Sequence, residues 1–425
     1  MSLLTLSAAV FGGSALAQPT ITALGDLAGT GEYFPVDLTD TGISVGTSVG
    51  TAPRVATRRP AAGPLVPFTV LTAGQDSDAW AISSDGQFSV GRARLNGLDR
   101  AVRWDVNGAI QNLGVIGSAT ESVAFGVSAN GAVVVGRISK PSPNAFARAF
   151  RWTNNVMTDL GVLSTPAGCS DTYAVDVSDD GNTITGYAQY ATGKIFRWTA
   201  AGGYQFIGSL QGADLSSGSQ GLAQAISGDG STIVGESRDF DNSYRAFIWK
   251  SSFGVLRVGS LGSASSAWCV DRVGNVVGGK YVIPGNFNRA FIASQATGGM
   301  VDLRDYLQGL GANVTNWVFF NVDAISPDGL TLAGPGSLNG VFTSFIVRLG
   351  QTRCSRADVG TVGGATSPDG RITVDDLIVY LQAFFAMNTS IADIATVGGA
   401  TNPDGQVTAD DLISCLQAFF LGCPT

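Results

Sequence analysis

The sequence predicts a mainly β fold, a seven-bladed β-propeller followed by a small α-helical, calcium-binding module. Three observations predict it. A hairpin pattern recurs along most of the chain, further short apolar runs follow each copy, and a different, duplicated segment begins near Cys354.

The hairpin pattern is clearest at Val127–Gly136, VSANGAVVVG. Ile82–Gly91 (ISSDGQFSVG), Val177–Gly186 (VSDDGNTITG), Ile226–Gly235 (ISGDGSTIVG) and Ile325–Gly334 (ISPDGLTLAG) repeat it, with weaker copies at Leu38–Gly46 and Val270–Gly278. Each is an apolar run, an Asp-Gly or Asn-Gly type turn, and a second run ending in Gly. Gly and Asn tolerate the positive φ that hairpin turns require. A second motif follows: RAVRW at Arg100–Trp104, RAFRW at Arg148–Trp152, KIFRW at Lys194–Trp198 and RAFIW at Arg245–Trp249, fading to RAFIA at Arg289–Ala293 and TSFIV at Thr343–Val347. A third supplies a fourth strand, as in IQNLGVI at Ile110–Ile116 and MTDLGVL at Met157–Leu163. The closing glycines fall at 46, 91, 136, 186, 235, 278 and 334, close to the spacing of four-stranded propeller blades.

The ends of the repeat region predict ring closure. Ile21–Leu27 (ITALGDL) is a fourth-strand motif with no hairpin before it, and the last unit lacks one after Thr343–Val347. The N-terminal strand is therefore expected to complete the last blade and hide two edges. The first strand of each hairpin alternates small with bulky residues: Ala79 and Ala81 against Trp80 and Ile82, Ala124 and Gly126 against Phe125 and Val127. Strict alternation would pack small faces against large ones between neighbouring blades.

Composition fits a β-rich chain with ample apolar content: 14% charged residues and 57 Gly in 425 residues. There is no His, which excludes His-based acid–base catalysis and conventional structural zinc sites. The net charge of −8 argues against a nucleic-acid partner. Residues 1–17 (MSLLTLSAAVFGGSALA) read as a signal peptide ending in an Ala-x-Ala site, which predicts export to the cell surface or beyond. No stretch is long enough to predict a transmembrane segment.

The repeats over 21–349, with the RAFRW-type motif, resemble the HAF repeats of bacterial extracellular proteins. The resemblance implies a secreted repeat protein and no particular activity. The S-x-D-G segments also resemble the Asp boxes of sialidases, but the trailing aromatic is missing, and Asp-Gly is what a hairpin turn demands. They are read as turns, and the repeated Trp and Arg as blade-stacking residues.

Beyond Leu349 the pattern changes. ADVGTVGGATSPDGRITVDDLIVYLQAFF (Ala357–Phe385) and ADIATVGGATNPDGQVTADDLISCLQAFF (Ala392–Phe420) align without a gap, with 21 of 29 positions identical. DGRITVDDL is the back half of an EF-hand-like calcium loop, with Asp at position 5, Gly at the sharp turn, a backbone carbonyl at 7 and a carboxylate at 12. This numbering assigns Asp369, Arg371 (through its carbonyl), Thr373 and Asp376 to one site, and Asp404, Gln406 (through its carbonyl), Thr408 and Asp411 to the other. Ala365 and Ala400 stand where the loop usually begins with Asp; Asp358 and Asp393, seven residues earlier, are expected to reach the metal by looping out the intervening VGGAT. Eight Asp against Arg356 and Arg371 concentrate most of the chain's negative charge here. Leu377, Ile378, Leu381, Phe384 and Phe385 predict an apolar stripe on the helix after the first loop, and Leu412, Ile413, Leu416, Phe419 and Phe420 repeat it.

This duplicated loop-plus-helix, ending in Gly422-Cys423, resembles a dockerin. The resemblance implies two Ca²⁺ sites and a cohesin-like partner that ties the chain to a scaffold or surface. It also implies that the pairs Val374-Asp375 and Ala409-Asp410 face that partner. The sequence reading is thus a signal peptide (1–17), a propeller (18–350) and a dockerin-like module (354–425). The propeller is read as a non-enzymatic recognition or structural module with a glycan as candidate ligand. The alternative is a polysaccharide-degrading propeller targeted by its dockerin.

Cys354 and Cys423 flank the module, and an exported chain permits oxidation. We predict a disulfide between them, worth about 4 kcal/mol in the chain-entropy model. Cys415 replaces Tyr380 of the first copy and should stay reduced. Non-reducing peptide mapping checks this; a Cys354–Cys415 pair would overturn it.

Overall fold

The computed structural model describes residues 18–27, 32–50, 53–140, 145–162, 171–189, 193–212, 220–294, 297–349, 374–387, 406–408 and 412. The chain divides into two units, one of Thr20–Leu349 and one of residues 1–19 with 350–425.

The larger unit is a seven-bladed propeller. Blades 1 to 6 are four-stranded antiparallel sheets that begin with Glu32–Leu38, Ser77–Ile82, Glu121–Val127, Asp171–Val177, Gly221–Ile226 and Ser265–Val270. These first strands are innermost and line a central channel. Blade 7 combines Val341–Arg348, Thr331–Leu338 and a divided inner strand, Trp317–Phe319 and Ala324–Ile325, with the N-terminal Thr20–Leu24. Thr20 pairs with Arg348 and Leu24 with Ser344, antiparallel, so the expected closure is present. Thr343 adds a hydroxyl bond to the Leu24 carbonyl at 3.0 Å.

The core lies between blades. Trp104, Phe150 and Phe247 of the RAFRW-type motifs are fully buried. Trp104 packs with Phe68, Ile82 and Val102, and Phe150 with Val134, Ala124 and Trp152. Two repeated polar contacts join one blade to the next. The backbone N–H groups of Ala56, Ala101, Ala149 and Ala246 donate to the hydroxyls of Ser77, Ser122, Thr172 and Ser265. These hydroxyls stand two residues before the small residue of each inner strand. The motif arginines reach the next blade's hairpin turn: Arg58 bonds the Gly86 carbonyl, Arg103 that of Gly131 and Arg151 that of Gly181. Arg103 also lies over the Phe88 and Trp152 rings, 4.4 and 4.8 Å from their centroids. The Asp-Gly turns fold as expected: the Ser83 hydroxyl donates to Asp85, whose Oδ1 accepts from the Gln87 N–H, and Ser178 with Asp180 repeats the arrangement.

Two features depart from the sequence reading. A short helix, Leu303–Gly309, follows the last strand of blade 6; Asp302 caps it by accepting from the Arg304 and Asp305 N–H groups, and Leu303 and Leu307 are fully buried. Their i, i+4 spacing was its signal. The strict alternation of the inner strands also fails, because a β-bulge interrupts each of blades 1 to 6.

In the smaller unit, Val374–Phe385 is an α-helix, as the apolar spacing predicts. Its buried residues are Val379, Tyr380 and Ala383, while Phe385 is exposed. Among the described side chains of this helix Leu381 and Phe384 are half-buried, and Tyr380 takes an interior place that the expected stripe did not give it.

Closure makes a testable demand. Deleting residues 18–27 bares the edge of Val341–Arg348. The truncated chain should melt roughly 10 °C lower and aggregate on heating. A melting curve that matches the intact chain would refute the role of closure.

Candidate functional site

The axial channel is built by the bulges. The second strand of each blade presents a glycine to the inner strand: a Cβ at Gly91 would lie 2.0 Å from the Asp78 carbonyl oxygen, and one at Gly136 2.0 Å from that of Val123. Gly46, Gly186, Gly235 and Gly334 do the same. In blade 6 this place belongs to Gly279, paired with Ala267, and not to Gly278, the closing glycine read from sequence. With the backbones this close, the inner strand bulges at Val36, Trp80, Phe125, Val175, Gln224 and Trp268. Each bulge turns its residue toward the axis instead of into the packing between blades.

The channel has a volume of about 500 Å³. One end is drawn together by the hairpin turns, which hydrogen-bond around the ring: Asp85 N–H to Ala129 O, Ala129 to Asp179, Asp179 to Gly228, Asp229 to Arg272, and Arg272 to Pro327. The Asp328 N–H carries the series on to the blade 1 turn, donating to the Asp40 carboxylate at 2.7 Å. Asp179 reaches inward from these turns, accepting from the Ser84 hydroxyl at 3.1 Å and meeting the Arg272 guanidinium at 2.5 Å. Toward the other end, four consecutive blades contribute an aromatic ring each: Phe34, Trp80, Phe125 and Tyr173. Trp80 and Phe125 meet edge to face at 6.1 Å, and Trp80 keeps 38% of its surface exposed.

Three carboxylates line the channel, those of Asp37, Asp176 and Asp323. Asp37 and Asp176 hold the same position in blades 1 and 4, paired with Val45 and Thr185. Each uses one oxygen for the next residue's N–H (Leu38 at 2.8 Å, Val177 at 2.7 Å). The other oxygen takes the N–H of a neighbouring blade, Ile82 at 2.8 Å for Asp37 and Ile226 at 2.9 Å for Asp176. Cys269 occupies the equivalent place in blade 6, and its thiol donates to the Val322 carbonyl of blade 7 at 3.5 Å. Blades 2, 3 and 5 carry Ala81, Gly126 and Ala225 there.

The carboxylates are half-buried, open to the channel but walled in by protein. Removal from bulk water pushes Asp37 and Asp176 up to about 7, the backbone N–H bonds offsetting only part of it. Asp323 is pushed up to about 7 by the same cause, with Lys280 and Asn321 pulling the other way. Burial likewise holds the Cys269 thiol protonated.

The residues singled out from sequence lie elsewhere. Val374, Asp375 and Asp376 fall in the first turn of the Val374–Phe385 helix. Gln406 is exposed and Thr408 half-buried, its carbonyl accepting the Leu412 N–H at 3.4 Å. Asp358, Asp369, Arg371, Thr373, Asp393, Asp404, Ala409, Asp410, Asp411, Cys354 and Cys423, with residues 1–17, lie outside the described residues. Sequence reasoning passed over Asp37, Asp176 and Asp323. A strand-by-strand alignment of the repeats would have exposed the first two as acids in a column of small residues.

No protein-family model matches the chain, and no curated protein matches it. The fold has relatives among solved structures. Oligogalacturonate lyase from Vibrio parahaemolyticus superposes with a TM-score of 0.51 at 12% identity, over 78% of this chain and 97% of the lyase. Puromycin hydrolase gives a TM-score of 0.51 at 11% identity, over 74% of this chain and 52% of the hydrolase. TolB from Acinetobacter baumannii gives 0.41 at 13% identity, over 62% of this chain and 65% of TolB. At these identities the likeness is one of fold.

The raised carboxylates set a pH dependence. A group that binds its proton more tightly folded than unfolded stabilises the fold most below its unfolded pKa, and that contribution is lost as pH rises through the folded value. Asp180 and Asp229, whose pKa values are lowered by their turn bonds, remain ionised above about pH 5 and do not oppose the trend. The melting temperature should therefore fall between about pH 5 and pH 8. Asp176→Asn should be less stable at the acid end, for want of one inter-blade acceptor, and should flatten the slope. A profile equally steep in the Asp37→Asn, Asp176→Asn double variant would contradict this account.

Proposed function

We propose that the chain is an exported, non-enzymatic binding propeller. Its duplicated C-terminal segment ties it, when calcium is bound, to a cohesin-like protein or a surface scaffold. The observation that carries the binding role is the channel, constricted at one end by the ring of turns and lined with aromatic rings and carboxylates. Such a concave, mostly apolar cavity with a few placed polar groups suits a small ligand or the end of a chain. The carboxylates of Asp37 and Asp176 favour binding over glycosidic chemistry. A general acid must present a proton to the bond it breaks, whereas both oxygens of Asp37 and of Asp176 are engaged with backbone N–H groups.

The tethering role rests on the sequence of the tail. Hard oxygen ligands at loop spacing, present twice, suit Ca²⁺, and the clustered Asp residues would repel one another without it. Val374-Asp375 and Ala409-Asp410 are the proposed docking pairs, and residues 1–17 the export signal.

Calorimetry on the intact chain tests the tether. It should bind two Ca²⁺ ions, Asp369→Ala and Asp404→Ala should each retain one, and neither change should move the propeller's melting transition. Helicity that is the same with calcium and with chelator, together with no measurable heat of binding, would sink the calcium reading and the dockerin-like tether.

A further inference from the structure

We propose that the arc of the channel from blade 1 to blade 4 binds an organic cation, an alkylated ammonium group held against aromatic faces between two carboxylates. This rests on the binding role assigned to the propeller and names the ligand's chemistry. Phe34, Trp80, Phe125 and Tyr173 stand on four consecutive blades, and Asp37 and Asp176 stand on the two blades that bound the arc. Trp80 is brought to the axis by its bulge and left partly open there, so the largest ring of the arc faces the cavity rather than the core. Aromatic faces attract cations through their quadrupole, more strongly where water is excluded.

Charge points the same way. Among the described residues no Lys or Arg lies within ion-pair distance of Asp37, Asp176 or Asp323. The cations near the channel wall are engaged with rings: Lys280 lies 5.0 Å over Trp268, on the far side from the arc, and Arg137 lies 5.8 Å over Tyr173. Tyr173 also stacks on Tyr187 at 4.8 Å, so it bounds the arc, and the ring faces offered to a ligand are those of Phe34, Trp80 and Phe125. A bare metal ion fits less well. The oxygens of Asp37 and Asp176 already accept backbone N–H bonds, and no group of three or more metal-ligating side chains occurs among the described residues. A bulky, weakly hydrated cation needs no inner-sphere ligands. It needs negative potential and ring faces, and the arc supplies both.

Binding should depend on pH, because the cation favours the ionised carboxylates. The charged and titratable groups facing them are Asp179, on the constricting turn, for Asp37 and Asp176, which also face each other, and Lys280 for Asp323. Cys269 stays protonated throughout the range.

The test uses the intact chain, choline as probe, and 3,3-dimethylbutan-1-ol as its uncharged isostere, followed by calorimetry and by tryptophan fluorescence. Choline should bind saturably at about pH 8 and at least roughly tenfold more weakly at about pH 5, while the neutral isostere should bind at least roughly tenfold more weakly at either pH. Asp176→Asn should weaken choline binding by a similar factor. Because that residue also joins two blades, Trp80→Ala, which breaks no inter-blade hydrogen bond, serves as the second variant and should do the same. Equal binding of choline and its isostere, or choline binding unaffected by Trp80→Ala, would overturn the proposal. A neutral oligosaccharide that binds with Trp80 sensitivity while choline does not would keep the binding role and reject the cation. Failure of both ligands would reject the two together.

Discussion

The ring depends on a contact between backbones. In every blade a glycine of the second strand lies against a carbonyl of the inner strand, at a separation that admits no side chain. A methyl group there would force the two strands apart. In blades 1 to 6 the inner strand takes up an extra residue just beyond this contact. The bulge determines what faces the axis. It brings Trp80, Phe125 and Trp268 into the channel and sets Asp37 and Asp176 one step further in. Packing within each sheet thereby becomes the chemistry of the cavity.

Given that arrangement, blades are held to one another by hydrogen bonds that repeat with variation. The hydroxyls of Ser77, Ser122, Thr172 and Ser265 make the common one. Asp37, Asp176 and Cys269 make a second at the channel wall, between blades 1 and 2, 4 and 5, and 6 and 7. A carboxylate in this place joins two blades but loses bulk water, which is why the same groups hold their protons to about neutral pH. One side chain thus couples the strength of an inter-blade joint to the charge of the cavity.

The repeat made the architecture legible. Turn chemistry located the hairpins, and the orphan strand at 21–27 revealed the closure, because each element carries its own local signal. The bulge carried none. Trp80 alternates properly with its neighbours in sequence, and only the glycine on the adjacent strand decides that it leaves the packing. The channel acids were hidden for a related reason: Asp37 and Asp176 lie far apart in sequence and are brought to one axis only by closing the ring. Asp323 was harder still, because the inner strand of blade 7 is divided and its register does not follow the other blades. The helix Leu303–Gly309 was short enough to pass for a connection.

Closure of the last blade also sets an order of events. Thr20–Leu24 is the first strand of the propeller to be made, and its partner, Val341–Arg348, is the last. Contacts between residues so distant in sequence form late, because a long stretch of chain must be ordered before they are rewarded. In a chain that folds as it is made, the opening strand has no partner until the last blade is complete. Its length of five residues suits an edge that stays open until then. The circle is sealed only once Val341–Arg348 is in place, so an interrupted chain carries two open edges however many of its blades have folded.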